Sequence, residues 1–273
     1  MGLSKLREPV VAGQFYPYSR EKLRNQIETF IDKKSEKRDA IACMLPHAGY
    51  MYSGRVAVQT VSSINLKDKV ILLGPNHTGQ GAPFSIMTEG IWQTPLGQLS
   101  IDSELAKDIL RGSKYLEDDS LAHASEHSIE VELPILQYFK TDFEIVPIAF
   151  LSDNLEVLKE TGKEIADVIR KSDKKNSIMI VASSDMTHYE SQEDAHQKDK
   201  QAIEAILELN EDKLMEKIRR FSISMCGYAP VIVMLKIAKL LGAKTAELIK
   251  YQTSGDVTGD RDSVVGYAGI VVR

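Results

Sequence analysis

The stretch Ile178-Met179-Ile180-Val181-Ala182, followed by Ser183-Ser184-Asp185-Met186-Thr187-His188, decides the fold class. Five consecutive apolar residues, three of them β-branched, predict a strand that is buried on both faces. Such strands belong to parallel sheets that are covered by helices. The polar residues after the strand then lie at its carboxyl end, which is the edge where α/β sheets hold their ligands.

Five further apolar runs predict strands of the same sheet, at residues 40–45, 69–73, 143–150, 246–251 and 264–272. Pro147 has no N–H for strand pairing, so it favours an edge or bulged position for the third of these runs. Helical patterns occur between the strands, at residues 55–64, 155–170, 194–209, 212–221 and 228–241. This alternation predicts an α/β fold: a single domain over residues 1–273 with a mixed, mostly parallel central sheet flanked by helices.

Composition and charge argue against several classes of protein. The chain has 273 residues, of which 43% are hydrophobic, and this is enough for a buried core. Its net charge of −5 gives no indication of a surface for nucleic acid. No run approaches about 18 consecutive apolar residues, so we expect no membrane span. The first six residues lack the apolar stretch of a signal peptide, which predicts a cytoplasmic protein.

Three of the six histidines follow predicted strands within a few residues. His47 follows the strand at 40–45, and His77 follows the strand at 69–73. His188 and Asp185 follow the strand at 178–182. Imidazole is the commonest metal ligand and the usual general base near neutral pH. One such histidine alone is more often structural, but the repetition predicts a shared metal or catalytic pocket.

Asp185 and Cys226 each admit two interpretations. Asp185 either orients the imidazole of His188, three residues later, or caps a following helix. Cys226 lies just before the apolar helix predicted at 228–241, whose N-terminus favours a thiolate that could bind a metal. Alternatively, Cys226 is a packed core residue. Cys43 lies inside an apolar strand and is expected to pack in the core, and two cysteines indicate no disulfide framework.

Two other polar segments could border a site. Ser125 is expected to be the N-cap of a helix, in which His127 and its neighbouring glutamates either line a cleft or only stabilise the helix terminus. The acidic spacing at residues 254–263 is similar to a calcium loop, but the closing Glu is missing, so a Gly-rich turn is expected. His123 and His196 have surface-like neighbours. The chain has no nucleotide-binding or α/β-hydrolase motif.

The order of these motifs resembles the Memo family, named for a mediator of cell motility. The likeness runs through Arg7-Glu8-Pro9-Val10-Val11-Ala12-Gly13-Gln14-Phe15-Tyr16-Pro17, Pro46-His47-Ala48-Gly49-Tyr50, Gly74-Pro75-Asn76-His77, Trp92-Gln93-Thr94-Pro95-Leu96-Gly97, Glu126-His127-Ser128-Ile129-Glu130-Val131, Ser183-Ser184-Asp185, Cys226-Gly227 and Ser254-Gly255-Asp256-Val257-Thr258-Gly259-Asp260. It implies a fold like that of the LigB-type class III extradiol dioxygenases. Those enzymes hold Fe(II) with two His and one Glu, and a further His acts as acid and base.

By this likeness, His47 and His77 fall on the two histidine ligands, and Cys226 falls where the dioxygenases carry Glu. His188 falls near the acid/base histidine, and Asp185 lines the same pocket. A thiolate is softer than a carboxylate and favours copper, especially Cu(I), or zinc. The resemblance therefore implies a copper or iron cofactor on His47, His77 and Cys226, but it does not carry over dioxygenase activity.

The resemblance leaves three functions open. The first is a metal-dependent enzyme that acts on a small or aromatic molecule. The second is a non-catalytic redox or protective metal protein. The third is an adaptor for phosphotyrosine-type peptides, although the chain has no obvious Arg cluster for phosphate. Related microbial genomes pair Memo-like proteins with a radical-SAM protein and an AMMECR-type protein, which implies a functional link to both. We expect neither nucleic acid nor membrane as a partner.

Overall fold

The computed structural model describes residues 6–32 and 36–273, so most of the N-terminal stretch behind the signal-peptide expectation lies outside the described residues. The strands are β1 (Leu6–Arg7), β2 (Ala42–Leu45), β3 (Lys69–Pro75), β4 (Phe84–Ile86), β5 (Ile91–Thr94), β6 (Gly97–Ser100), β7 (Glu117–Asp118), β8 (Glu144–Phe150), β9 (Ile178–Ser183), β10 (His188–Glu190), β11 (Ala246–Thr253) and β12 (Val264–Val272). The α-helices are α1 (Arg20–Phe30), α2 (Tyr50–Ser62), α3 (Ser103–Gly112), α4 (Leu121–Ala124), α5 (Leu133–Phe139), α6 (Leu155–Lys171), α7 (Gln192–Leu207), α8 (Glu211–Phe221), α9 (Tyr228–Leu240) and α10 (Gly255–Thr258).

The central sheet places β9 between β2 and β3. Its strand order is β10-β12-β2-β9-β3-β8-β4-β7, and β11 pairs with β12. The central strands β2, β9, β3 and β8 are parallel, whereas β12 is antiparallel to β2 and β4 is antiparallel to β8. The predicted α/β fold with a mixed sheet is therefore confirmed, with parallel pairing at its centre and antiparallel pairing towards its flanks.

Burial explains why β9 is central. Every residue of β9 and of β2 is buried, as the continuous apolar run predicts for strands covered on both faces. The strongly apolar helix α9 packs on β9 and β3, and α2 packs on β2, β11 and β12. A separate three-stranded sheet of β1, β5 and β6 was not predicted.

The position of β8 corrects one prediction from the sequence. β8 pairs with β3 and with β4, so the edge position expected from Pro147 is wrong. Met87 donates its N–H to the carbonyl of Pro147 at 3.2 Å. Because Pro147 has no N–H to return this hydrogen bond, the pairing of β4 with β8 ends at that point.

The strands that precede the candidate site residues are direct neighbours. β2 precedes His47, β9 precedes Asp185, and β3 precedes His77. The three strands are parallel in the order β2-β9-β3, so their following loops leave the same edge of the sheet. The prediction that these loops share one edge is confirmed. Among the described helices, none has both the length and the apolar character needed to cross a membrane.

Candidate metal centre

A cavity of about 760 Å³ opens at the carboxyl ends of β2, β9 and β3. All five site residues expected from the sequence line this cavity: His47, His77, Asp185, His188 and Cys226. Its remaining walls are mostly aromatic or small, and none of its lining residues is Lys or Arg. These further lining residues are Gln14, Phe15, Ala48, Gly49, Tyr52, His127, Tyr189, Ser224, Val265 and Tyr267.

His47, His77 and Cys226 each offer one ligand atom, and these atoms lie within 4.8 Å of one another. Sγ of Cys226 is 3.3 Å from Nε2 of His47, and the two imidazole centroids are 5.2 Å apart. Metal–nitrogen and metal–sulfur bonds of about 2.0–2.3 Å bring the ligand atoms of one tetrahedral ion to roughly 3.4–3.6 Å from each other. The donor set therefore fits a transition metal.

Glu126 fixes the orientation of His77. Nδ1 of His77 lies 2.9 Å from Oε1 of Glu126, and the same carboxyl accepts the backbone N–H groups of His77, His127 and Ser128. Burial opposes ionisation of Glu126, but these hydrogen bonds outweigh it and lower the pKa of the carboxyl to about 2. Since the carboxylate can only accept, Nδ1 of His77 donates and Nε2 is free for a metal.

Ser183 and Asp185 fix His47 from two directions. Nδ1 of His47 lies 2.8 Å from Oγ of Ser183, and the backbone N–H of His47 donates to Oδ1 of Asp185 at 2.9 Å. Burial lowers the pKa of His47 well below its usual value, and the nearby His77 and His127 lower it further. The imidazole is therefore neutral, which is the form that binds metals.

Asp185 holds the loop of His47 by a hydrogen bond and interacts with His188 through charge. Nδ1 of His188 lies 2.9 Å from the carbonyl oxygen of Ser224 and donates to it. No helix follows Asp185 directly, because the chain enters β10 and the N-cap of the next helix is Ser191. The helix-cap interpretation of Asp185 is therefore wrong, and its pairing with His188 stays a prediction. Burial raises the pKa of the Asp185 carboxyl to about 6.

Cys226 lies next to Gly227, the N-cap of α9. Burial and the negative charge of Asp185 raise the pKa of the thiol, while backbone hydrogen bonds at Cys226 and Gly227 lower it, as expected near a helix N-terminus. The raising effects are larger, so a thiolate at Cys226 stays a prediction that depends on a bound cation. A bound cation would supply the positive charge that the thiolate needs. A Cβ at Gly227 would lie 2.2 Å from the carbonyl oxygen of Ser183, so only glycine lets Cys226 approach the end of β9. Cys43 is fully buried, as predicted.

His127 is a wall residue whose role the sequence left undecided. Its ring stacks on His77 with centroids 4.8 Å apart, and its centroid is 5.6 Å from that of His47. Ser125 is not an N-cap, because α4 ends just before it and the next helical turn is a short 3-10 segment at Glu130–Glu132. His123 was expected at the surface, but it is buried and packs edge-on against Trp92.

Comparisons with known proteins match one family over nearly the whole chain. The family model for Memo-like protein matches residues 7–271. A MEMO1 family protein of Methanosarcina mazei is 43% identical over 271 residues, which cover 98% of this chain and 100% of the relative. A MEMO1 family protein of Aquifex aeolicus is 41% identical over 269 residues, which cover 98% of this chain and 99% of the relative.

The fold also resembles a solved structure at low sequence identity. The crystal structure of uncharacterized protein JW3007 from Escherichia coli K12 matches with a TM-score of 0.56 and 12% identity. The match covers 84% of this chain and 98% of that protein. At this identity the likeness shows a shared fold alone.

Proposed function

The chain belongs to the Memo-like protein family, and from this premise we propose that it binds a copper or iron ion through His47, His77 and Cys226. The observation that carries the proposal is the convergence of three ligand atoms from three separate loops within 4.8 Å. Two imidazoles and one sulfur prefer such metals to hard ions such as Mg²⁺ and Ca²⁺. Three protein ligands also leave room for water or a substrate.

We further propose that the protein is a metal-dependent oxidoreductase related to the class III extradiol dioxygenases, with a small aromatic substrate. A bound copper or iron ion would supply the redox chemistry. Nδ1 of His188 is engaged by Ser224, which leaves Nε2 free to give or accept a proton. Asp185, whose pKa is raised to about 6 by burial, can exchange a proton near neutral pH. The aromatic walls suit a flat, apolar molecule.

Of the two alternatives, a non-catalytic redox protein would use the same donor set, whereas a phosphotyrosine-type adaptor draws less support from the cavity. A phosphate group binds best to Arg or Lys, and none of the residues lining the cavity is either. The functional link to a radical-SAM protein and an AMMECR-type protein stays part of the proposal, as does the cytoplasmic location. This link would place the chain in a multi-step modification of one substrate.

An anaerobic competition titration with Cu(I), Zn(II) and Fe(II) tests the metal proposal. Cys226→Ser should weaken Cu(I) binding strongly, because a hydroxyl is a poor ligand for a soft metal. Cys226→Glu creates two imidazoles and one carboxylate, so it should shift the preference towards Fe(II). Cys43→Ala is the matched control, since it removes the other thiol, which does not line the cavity. Equal Cu(I) affinity in wild type and Cys226→Ser would remove Cys226 from the site.

A further inference from the structure

Three polar groups surround the single hydroxyl of Ser183. Its Oγ lies 2.7 Å from the carbonyl oxygen of Ser128, 2.9 Å from Oε1 of Glu132 and 2.8 Å from Nδ1 of His47. All four residues are buried. A hydroxyl donates one proton and accepts through two lone pairs, so the protons of this cluster can be assigned by counting.

The count has one consistent solution. The carbonyl of Ser128 can only accept, so the Ser183 proton must point to it. Glu132 must then donate to Ser183, which requires a protonated carboxyl. His47 must donate from Nδ1, which leaves the lone pair on Nε2. Other assignments place two lone pairs against each other within 3 Å in a dry interior, which is unfavourable.

The surroundings of Glu132 agree with a protonated carboxyl. Its Oε2 is buried and has no hydrogen-bond partner within the described parts of the chain, residues 6–32 and 36–273. Burial raises the pKa of this carboxyl well above its usual value; the hydrogen bond with Ser183 offsets part of the rise, and the negative charge of Asp185 adds to it. An ionised carboxylate without a cationic partner would be strongly unfavourable at such a position.

We propose that Glu132 is a protonated positioning residue that acts through Ser183 to hold His47 with its proton on Nδ1 and its Nε2 lone pair facing Cys226. In both His47 and His77, Nε2 is then free, but the Nδ1 atoms donate to different groups. An ionised Glu126 lies behind His77, whereas a neutral acid lies behind His47. The assignment of His47 Nε2 to a metal rests on the proposed function. The proton positions on Glu132, Ser183 and His47 rest only on the hydrogen bonds among these residues.

Infrared difference spectroscopy of the full chain at pH 8 tests the state of Glu132. The wild type should show a C=O stretching band of a protonated carboxyl that shifts in D2O and is absent from Glu132→Gln. Glu211→Gln is the matched control, because Glu211 is equally buried but pairs with Lys239 and should lose a carboxylate band instead. Loss of a carboxylate band in Glu132→Gln would overturn the proposal.

Long-range ¹H–¹⁵N correlation spectra of the metal-free chain test the second step. The wild type should show His47 with Nδ1 protonated, and Ser183→Ala should move part of the population to the Nε2-protonated form. Ser85→Ala, another buried strand serine that donates to a carbonyl, should leave His47 unchanged. The proposal would be overturned if His47 is protonated on Nε2 in the wild type, or if the His47 tautomer is unchanged in Ser183→Ala. If a variant does not fold, the wild-type spectrum alone decides.

Metal titration of the same variants separates this inference from the proposed function. Ser183→Ala should lose metal affinity by about 10–100-fold, as expected for the loss of a group that orients a ligand. If the His47 tautomer changes but the affinity does not, His47 is not a ligand and the metal proposal fails. If Cys226→Ser loses metal while Ser183→Ala keeps the tautomer, the metal proposal stands and the positioning role of Glu132 fails.

Discussion

His188 and His77 differ in the group to which their Nδ1 atom donates. His77 is held by the ionised Glu126, whereas His188 donates to the neutral carbonyl of Ser224. We predict that His188→Ala keeps most of the metal affinity but lowers metal-dependent turnover by the roughly 10²–10⁴-fold typical of a lost general acid or base. Metal titration beside His77→Ala checks this. A His188→Ala variant that loses metal as completely as His77→Ala would make His188 a ligand instead.

Glu126 makes the stability of the fold depend on pH in the acid range. Its pKa falls from 4.5 to about 2 on folding, so its stabilisation is complete above pH 4.5 and is lost as the pH falls towards 2. At 1.36 kcal/mol per pKa unit, this corresponds to at most about 3 kcal/mol at neutral pH.

We therefore predict that Glu126→Gln is less stable than the wild type at pH 7 by up to about 3 kcal/mol, and that this gap shrinks by more than half at pH 3. Urea unfolding at both pH values measures the gap. Glu156→Gln, at an exposed position, should stay within about 0.5 kcal/mol of the wild type. If the difference in unfolding free energy between Glu126→Gln and the wild type is equal at pH 7 and pH 3, the lowered pKa of Glu126 in the folded state is contradicted.

The N-terminal segment at residues 7–16 is bound to the short 3-10 segment Glu130–Glu132 that precedes α5. Arg7 pairs with Glu130 at 2.7 Å with both side chains buried, and its guanidinium stacks 4.0 Å from the Trp92 ring centroid. The carboxyl of Glu130 also accepts the Tyr16 hydroxyl. This attachment places Phe15 in the wall of the cavity.

We predict that Glu130→Gln destabilises the protein by about 3–5 kcal/mol, because it leaves the buried charge of Arg7 without its ionised partner. The control is Glu247→Gln, whose ion pair with Arg38 is more than a third exposed on both sides and should be worth about 0–1 kcal/mol. The free energy of unfolding in urea measures both variants. Similar small changes in both would show that the attachment does not stabilise the fold.

The sequence predicts the strands that carry the site residues better than it predicts the hydrogen bonds that hold those residues in place. His47 and His77 could be found because continuous apolar runs mark parallel strands, whose carboxyl ends share an edge. Helix α3 was not predicted, although its sequence carries a signal: Asp102 caps it, and Leu105, Ala106 and Ile109 are buried at helical spacing.

The support of His47 could not be predicted in the same way. Ser183 meets Ser128 and Glu132 across more than 50 residues of sequence, and a strand serine or a glutamate before a helix has no unusual local pattern. The protonated state of Glu132 depends on what lies around it after folding. His127 is similar, because its place in the wall depends on a loop whose helical appearance in the sequence is misleading.

At the scale of the whole molecule, the proposed ligands join parts of the chain that are far apart in sequence. His47 follows β2, His77 follows β3 and Cys226 precedes α9. An ion that binds all three would therefore connect the centre of the sheet to the helix that covers it. In the unfolded chain these three residues are not held together. Metal binding should therefore stabilise the native fold, because the ion binds the folded state in preference to the unfolded one.

We predict that Cu(I) or Fe(II) at about 100 times its Kd raises the free energy of unfolding by about 2.7 kcal/mol. For a chain of this size, that corresponds to a rise in Tm of roughly 5 °C. Anaerobic calorimetry of the full chain, with and without the ion and again after a chelator, measures it. Mg²⁺ should produce no shift, and Cys226→Ser should lose most of the shift while Cys43→Ala keeps it. An equal rise in Tm with Cys226→Ser would mean that the stabilising ion binds elsewhere on the protein.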